Sequence, residues 1–176
     1  LETMIYFRRL AGTAGAVAQS DAQIKKTPVA IDLYAAQTKA TPGSSFDIVV
    51  RIAIDETWHV NSEKPLEDFL KPTRLSLTNA SPFKLSGLVY PKAKTVTLDA
   101  LGGDMSIYEG TVDIKGSIQV PASAKAGSVN IPLTIEWQAC DDQICVLPEK
   151  QTLNLALEVV DRIETPEQRH PGLFKP

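Results

Sequence analysis

The chain has two cysteines, Cys140 and Cys145, five positions apart in Trp137-Gln138-Ala139-Cys140-Asp141-Asp142-Gln143-Ile144-Cys145-Val146-Leu147-Pro148. Two thiols this close can form a disulfide that either staples a turn or exchanges with another disulfide. They fall between two regular strand-like segments, where a hairpin has its tip. A tip of this length brings two Cα atoms within the ~4.4–6.8 Å that a disulfide spans. Closing a loop of about six residues removes little chain entropy, on the order of 2 kcal/mol, so a pure staple returns little. Spacing alone leaves staple and redox pair equally open. Zinc is a poor fit, because His59 and His170 lack the paired spacing of a structural site. There is no Cys-x-x-Cys in a βαβ setting, and no cofactor is called for.

The neighbours of the pair bear on its chemistry. Asp141 and Asp142 lie between the cysteines, and the nearest basic residue in sequence is Lys150. Local carboxylates disfavour a thiolate, which fits a reductant or an inert pair better than a strong oxidant. His59, beside Trp58, is a candidate base for thiol exchange; the ordinary reading of a histidine next to an aromatic is a packed structural residue. Trp137 falls in phase with inward residues and reads as core. Residues 63–72 carry mixed charges and two prolines, the composition of a solvated loop that could border a partner surface.

The elements that must position these residues are strands. From residue 28 onward the dominant period is two. Phe46, Ile48, Val50, Ile52 and Ile54 alternate with more polar positions, as do Val129 to Trp137 and Leu153 to Val159. Weaker alternation runs through Val29/Ile31/Leu33, Leu75/Leu77, Leu85 to Tyr90, Val96/Leu98 and Val112 to Val120. Turn signals separate them, among them Thr41-Pro42-Gly43-Ser44, Gly102-Gly103 and Ala126-Gly127-Ser128. About eight strands, each with one apolar face, predict an all-β, immunoglobulin-like antiparallel β-sandwich, with a closed barrel as the competing layout. Pro132, inside a good strand, points to an edge position or a bulge. A pair only five residues apart cannot join the two sheets as the disulfide of an antibody domain does.

Bulk properties narrow the class. The net charge of −3 and the scattered Lys and Arg residues give no footprint for nucleic acid. No apolar run approaches the ~20 residues needed to cross a bilayer as a helix. Residues 1–27 read as an N-terminal extension or linker; Arg8-Arg9 and the Ala/Gly-rich stretch to Ala18 also carry a faint echo of a secretory signal. Residues 28–160 form the strand-bearing domain, and residues 161–176 read as a C-terminal linker.

Three segments together resemble the N-terminal periplasmic domain of the DsbD family of thiol:disulfide interchange proteins. They are Trp58-His59-Val60-Asn61-Ser62, Ile107-Tyr108-Glu109-Gly110 (read as opening a strand) and, most specific, Trp137 to Cys145 followed by Pro148. The resemblance spans roughly residues 28–160. It implies an immunoglobulin-like domain whose cysteines relay electrons from a membrane-embedded partner, by way of a thioredoxin-like domain. The recipients would be thioredoxin-fold clients of the disulfide-isomerase or cytochrome c maturation type. By position Cys145 would face the client and Cys140 would resolve. The family shields its cysteines with a cap loop, which here falls at Leu101-Gly102-Gly103 with Leu101 as the shielding side chain; a plain hairpin turn is the other reading. Tyr108 would lie near the cysteines under that cap, or simply pack in the core or at its rim. The family often has one more residue between the cysteines and an aromatic-Pro-Pro run after them, whereas this chain has Val146-Leu147-Pro148. The competing reading is an immunoglobulin-like binding or structural module with a turn-stabilising disulfide.

Overall fold

Alternation along the chain builds two large antiparallel sheets that bury their apolar faces against each other. The structure, a computed structural model, describes residues 28–78, 81–165 and 167–174; the readings of residues 1–27 fall outside these. The first sheet runs Val29–Ala35 (β1), Ser45–Ile54 (β3), Thr111–Gln119 (β9), Lys84–Val89 (β6), in that order. The second runs Lys39–Ala40 (β2), Glu149–Val159 (β12), Gly127–Trp137 (β10), Arg74–Leu77 (β5). All pairings are antiparallel except the short β2–β12 contact. Ile48, Val50, Ile52, Ile114 and Ile118 from the first sheet meet Ile131, Leu133, Ile135, Leu155 and Leu157 from the second in one core. The expected immunoglobulin-like β-sandwich is the fold.

Pro132 keeps its place in β10 because β5 ends at Leu77, opposite Leu133. Its carbonyl accepts a bond from the Thr78 N–H at 3.0 Å. In an antiparallel strand the nitrogen of the same residue points to that side too, toward Thr78 just past the end of β5, so the missing N–H costs only the rung at which that ladder stops. An inner strand thus has a local edge, and no bulge is needed.

The outer face of the first sheet is partly covered. Arg51 makes a paired 2.8 Å contact with Asp113 and lies over the Tyr34 ring. Residues 167–174 run against this region. The Arg169 N–H donates to the Ala36 carbonyl, Glu167 accepts from the Thr38 N–H and hydroxyl, and His170 packs edge-on to Tyr34.

A third sheet, absent from the eight-strand reading, sits at one end of the sandwich. It runs Ala139–Cys140 (β11), His59–Asn61 (β4), Gly103–Tyr108 (β8), Lys94–Leu98 (β7). Twelve strands are therefore present among the described residues, not eight. The added ones are β2, β4, β8 and β11, of two to six residues, most of them too short to display a period. Ile107 and Tyr108 close β8 rather than opening a strand, and Gly110, at φ 66°, makes the turn into β9.

Leu133 is fully buried where the two large sheets meet. Leu133→Ala is expected to lower stability by about 2–5 kcal/mol. In urea unfolding this appears as a lower midpoint at unchanged slope.

Candidate functional site: a disulfide on the small sheet

The small sheet has two faces with different work. Val60, Tyr108 and Ala139 point into the main core. Alternation then sends their neighbours His59, Asn61, Ile107 and Cys140 to the opposite face. There Cys140, Met105, Ile107 and Leu70 form a second, smaller cluster, with Val96, Leu98, Leu101 and Cys145 packed against it.

Cys140 and Cys145 are joined by a disulfide, with S–S 2.05 Å and Cα atoms 4.0 Å apart. The backbone explains the close approach. The Asp141 N–H donates to the Ile144 carbonyl and the Val146 N–H to the Ala139 carbonyl, both at 2.9 Å. These bonds flank the cysteines and make them a non-hydrogen-bonded antiparallel pair, the kind in which Cα atoms lie closest. On its other side Cys140 is in register with His59. His59, Cys140 and Cys145 therefore form one row across three adjacent segments, all facing the same way.

The cysteines are thus not at the open tip of a simple β10–β12 hairpin. That hairpin pairs up to Trp137 and Glu149. The chain between leaves to add β11 to the small sheet, which buries Cys140 completely while Cys145 stays half-buried. The turn between them is held by Asp141, whose carboxylate accepts from the N–H groups of Gln143 and Ile144 at 2.8 Å. Those two bonds, Ile144's first, hold the Asp141 carboxyl below the usual range. The aspartate is a turn-former as well as a negative neighbour.

Two coverings close over the site. Asp99–Leu101 forms a single 3-10 turn at the tip of the β7–β8 hairpin, followed by Gly102 at φ 102° and Gly103 at φ 129°. The two glycines take the left-handed backbone that turns the chain back, and Leu101 packs onto the Cys140 cluster. The segment expected as a cap is thus a hairpin turn whose Leu101 packs on the Cys140 cluster. The second covering is the segment after β4. Leu70 is buried in the cluster, while Leu66 and Phe69 stand exposed.

Polar side chains fasten this second segment. The Gln138 side-chain oxygen accepts from the Lys71 N–H at 3.0 Å and from Asn61 Nδ2 at 3.3 Å, and its amide nitrogen donates to the Val146 carbonyl. Asn61 Nδ2 also donates to the Lys71 carbonyl, and the Thr73 hydroxyl to the Asn61 carbonyl. Asn61 and Gln138 lie within Trp58-His59-Val60-Asn61 and Trp137-Gln138-Ala139-Cys140. Their roles were missed because neither residue type announces thiol chemistry.

The remaining expectations sort by face. Tyr108 does not lie under the cap: it faces the main core, and its hydroxyl donates a short hydrogen bond to Glu63. Burial, and then that bond, push its phenol above the ordinary value. Trp137 is core, as its phase indicates. His59 is buried on the site face, and its Nε2 has no hydrogen-bond partner. Burial lowers its imidazole below the ordinary value, against the pull of Asp142, Asp141 and Glu109.

The fold and site define a class: an immunoglobulin-like sandwich carrying a disulfide under a small cover. The family model for the N-terminal region of the thiol:disulfide interchange protein DsbD matches residues 28–157, and the chain belongs to that family. Among solved structures, the chain is similar to the N-terminal periplasmic domain of ScsB from Proteus mirabilis, with TM-score 0.51 and 11% identity. That match covers 74% of this chain and 46% of the other, so the chain spans about half of the ScsB domain's length. A family 123 glycoside hydrolase from Clostridium perfringens is less similar, with TM-score 0.39, 11% identity and coverage of 79% and 28%. No curated protein matches the chain. Among the described residues, no helix is long and apolar enough to cross a membrane.

Gln138→Ala removes the acceptor of the Lys71 N–H and one tie to Val146. The expected result is a loss of about 1–3 kcal/mol and faster hydrogen exchange at the Lys71 amide than at amides of β10.

Proposed function

We propose that the chain is an extracytoplasmic, periplasmic thiol:disulfide exchange domain that relays electrons through Cys140 and Cys145 to thioredoxin-fold clients. The observation that carries this reading is the asymmetry of the pair. Cys140 is fully buried, and Cys145 is half-buried at the surface. Exposed apolar side chains lie close by: Ile144 and Leu147 adjoin Cys145 in sequence, and Phe69 precedes the anchored Leu70. This difference in burial supports Cys145 as the sulfur that meets a partner's sulfur and Cys140 as its resolving thiol. Exposed apolar side chains in the segments that flank the disulfide suit a transient encounter of modest area.

Family membership supports interchange chemistry as the general activity. The clients would be disulfide isomerases or thioredoxin-fold proteins of cytochrome c biogenesis, and the donor a thioredoxin-like partner of a membrane-embedded domain. The carboxylates around the turn favour an electron donor over an oxidant, since they oppose a stabilised thiolate. Leu101, with Gly102 and Gly103 as its flexible base, serves as a lid over the cysteines.

The test is mixed-disulfide trapping. Cys140→Ser should accumulate a thioredoxin-fold partner linked to Cys145, and Cys145→Ser should trap none. A potential below about −300 mV with no trapped species would instead identify an inert staple. Leu101→Ala is expected to speed reduction of the folded domain's disulfide by dithiothreitol several-fold at unchanged secondary structure. An unaltered rate would remove the lid from the account.

A further inference from the structure

We propose that His59 is the proton acceptor for the Cys140 thiol at the step in which Cys140 resolves a mixed disulfide on Cys145, a role that rests on the relay reading. The register carries it. His59 is the cross-strand partner of Cys140, and Cys145 is the partner on the other side. Residues directly opposite in an antiparallel pair project to one face with Cβ atoms ~4.5–5.5 Å apart. Ile107 completes this arrangement by bordering both the cysteine cluster and the groove that His59 lines.

The second observation is the orphaned nitrogen. His59 is 4% exposed, and its Nε2 is buried without a partner. Buried polar atoms left unpaired are costly and uncommon. In the disulfide Cys140 has no proton to offer. Reduction gives Cys140, the residue directly opposite His59, an S–H that such a nitrogen could accept.

The charges around the row make such an acceptor necessary. His59 lines a groove of about 530 Å³ with Asp55 and Glu56 from the β3–β4 turn, Glu109 from the β8–β9 turn and Asp142 from the cysteine turn; no Lys or Arg lines it, and Lys94 from β7 pairs with Glu109 at 2.6 Å. Asp141 adds a further carboxylate. In this field a free Cys140 thiolate is disfavoured, and proton transfer to a neutral imidazole lets the sulfur attack without first becoming a persistent anion. Burial keeps His59 neutral near pH 7, in the form that can accept.

The chemistry balances. In the reduced domain the Cys145 thiol gives up its proton as its sulfur attacks a disulfide of the partner, and the partner's first sulfur leaves and takes up a proton as a thiol. The Cys140 S–H proton then passes to His59 Nε2 while the Cys140 sulfur attacks Cys145 Sγ. The Cys140–Cys145 bond forms, the Cys145–partner bond breaks, and the second partner sulfur leaves and takes up the proton from the imidazolium. Two thiols have become a disulfide, one disulfide has become two thiols, and His59 is neutral again.

Oxidised glutathione is a suitable probe, because its two glutathione molecules are released in separate steps. With the reduced domain, the first release reports Cys145 attack and the second reports resolution by Cys140. His59→Gln is expected to leave the first within about twofold and to slow the second roughly 100-fold. The wild-type second phase should also lose rate below an ionisation under about pH 6.5 that the variant lacks. A normal first phase with the second unchanged between about pH 5 and pH 9 would overturn the role of His59 alone. Absence of the first phase in the wild type would overturn the relay reading and this role together. Independently of any variant, the ¹⁵N shift of His59 Nε2 in the wild type should move on reduction of the disulfide; an unchanged shift would overturn the inference.

Discussion

The small sheet is oriented by the burial of one of its faces, and everything at the site follows from that orientation. Each site residue has a chain neighbour driven into the main core: Val60 beside His59, Ala139 beside Cys140, Tyr108 beside Ile107. Because side chains alternate, burying one set fixes where the other set points. A one-residue slip of β11 on β4 would send Cys140 into the core and Ala139 to the site. Apolar side chains unable to do redox chemistry thus aim those that can. The two-residue β11 has little pairing of its own, and it holds its place through Ala139 on one face and the Cys140 cluster on the other.

The coverings are made differently from the sheet beneath them. The β7–β8 tip rests on apolar contact through Leu101, whereas the segment after β4 is tied by Gln138, Asn61 and Thr73. Contact through the half-buried Val96, Leu98 and Leu101 leaves no polar group unpaired when it is broken. The bonds of the buried Asn61 and Thr73 differ, since breaking them strands polar groups away from water. The site therefore has one yielding wall and one firm wall, with the disulfide between them.

The two large sheets were legible because their strands are long. Ten residues of β3 and eleven each of β10 and β12 display period two beyond accident. The third sheet was not, because β4 and β11 span three and two residues and β8 opens on a glycine. Its existence depends on pairing between segments far apart in the chain, which periodicity does not report. The cysteine pair and its turn are visible from spacing, and the resemblance points to Leu101-Gly102-Gly103, the turn whose leucine packs on the Cys140 cluster. That Cys140 is buried, that His59 lies opposite it and that Tyr108 faces away are all matters of register. Pro132 was correctly marked as unusual, yet the reason lies in β5 stopping at Leu77, outside its own strand.

The shortness of the loop between the cysteines links the oxidation state of the domain to its folding. In a thermodynamic cycle, the extra stability a disulfide gives the folded chain must equal the difference in reduction free energy between folded and unfolded forms. Cysteines five residues apart constrain the unfolded chain by only about 2 kcal/mol, equivalent to roughly 40 mV for a two-electron couple. Chain constraint alone can therefore lower the potential of this pair only slightly. Local contacts around the Cys140 cluster are left as the main means of tuning it. By the same cycle, chain constraint makes the oxidised sandwich more stable than the reduced one by no more than that small amount.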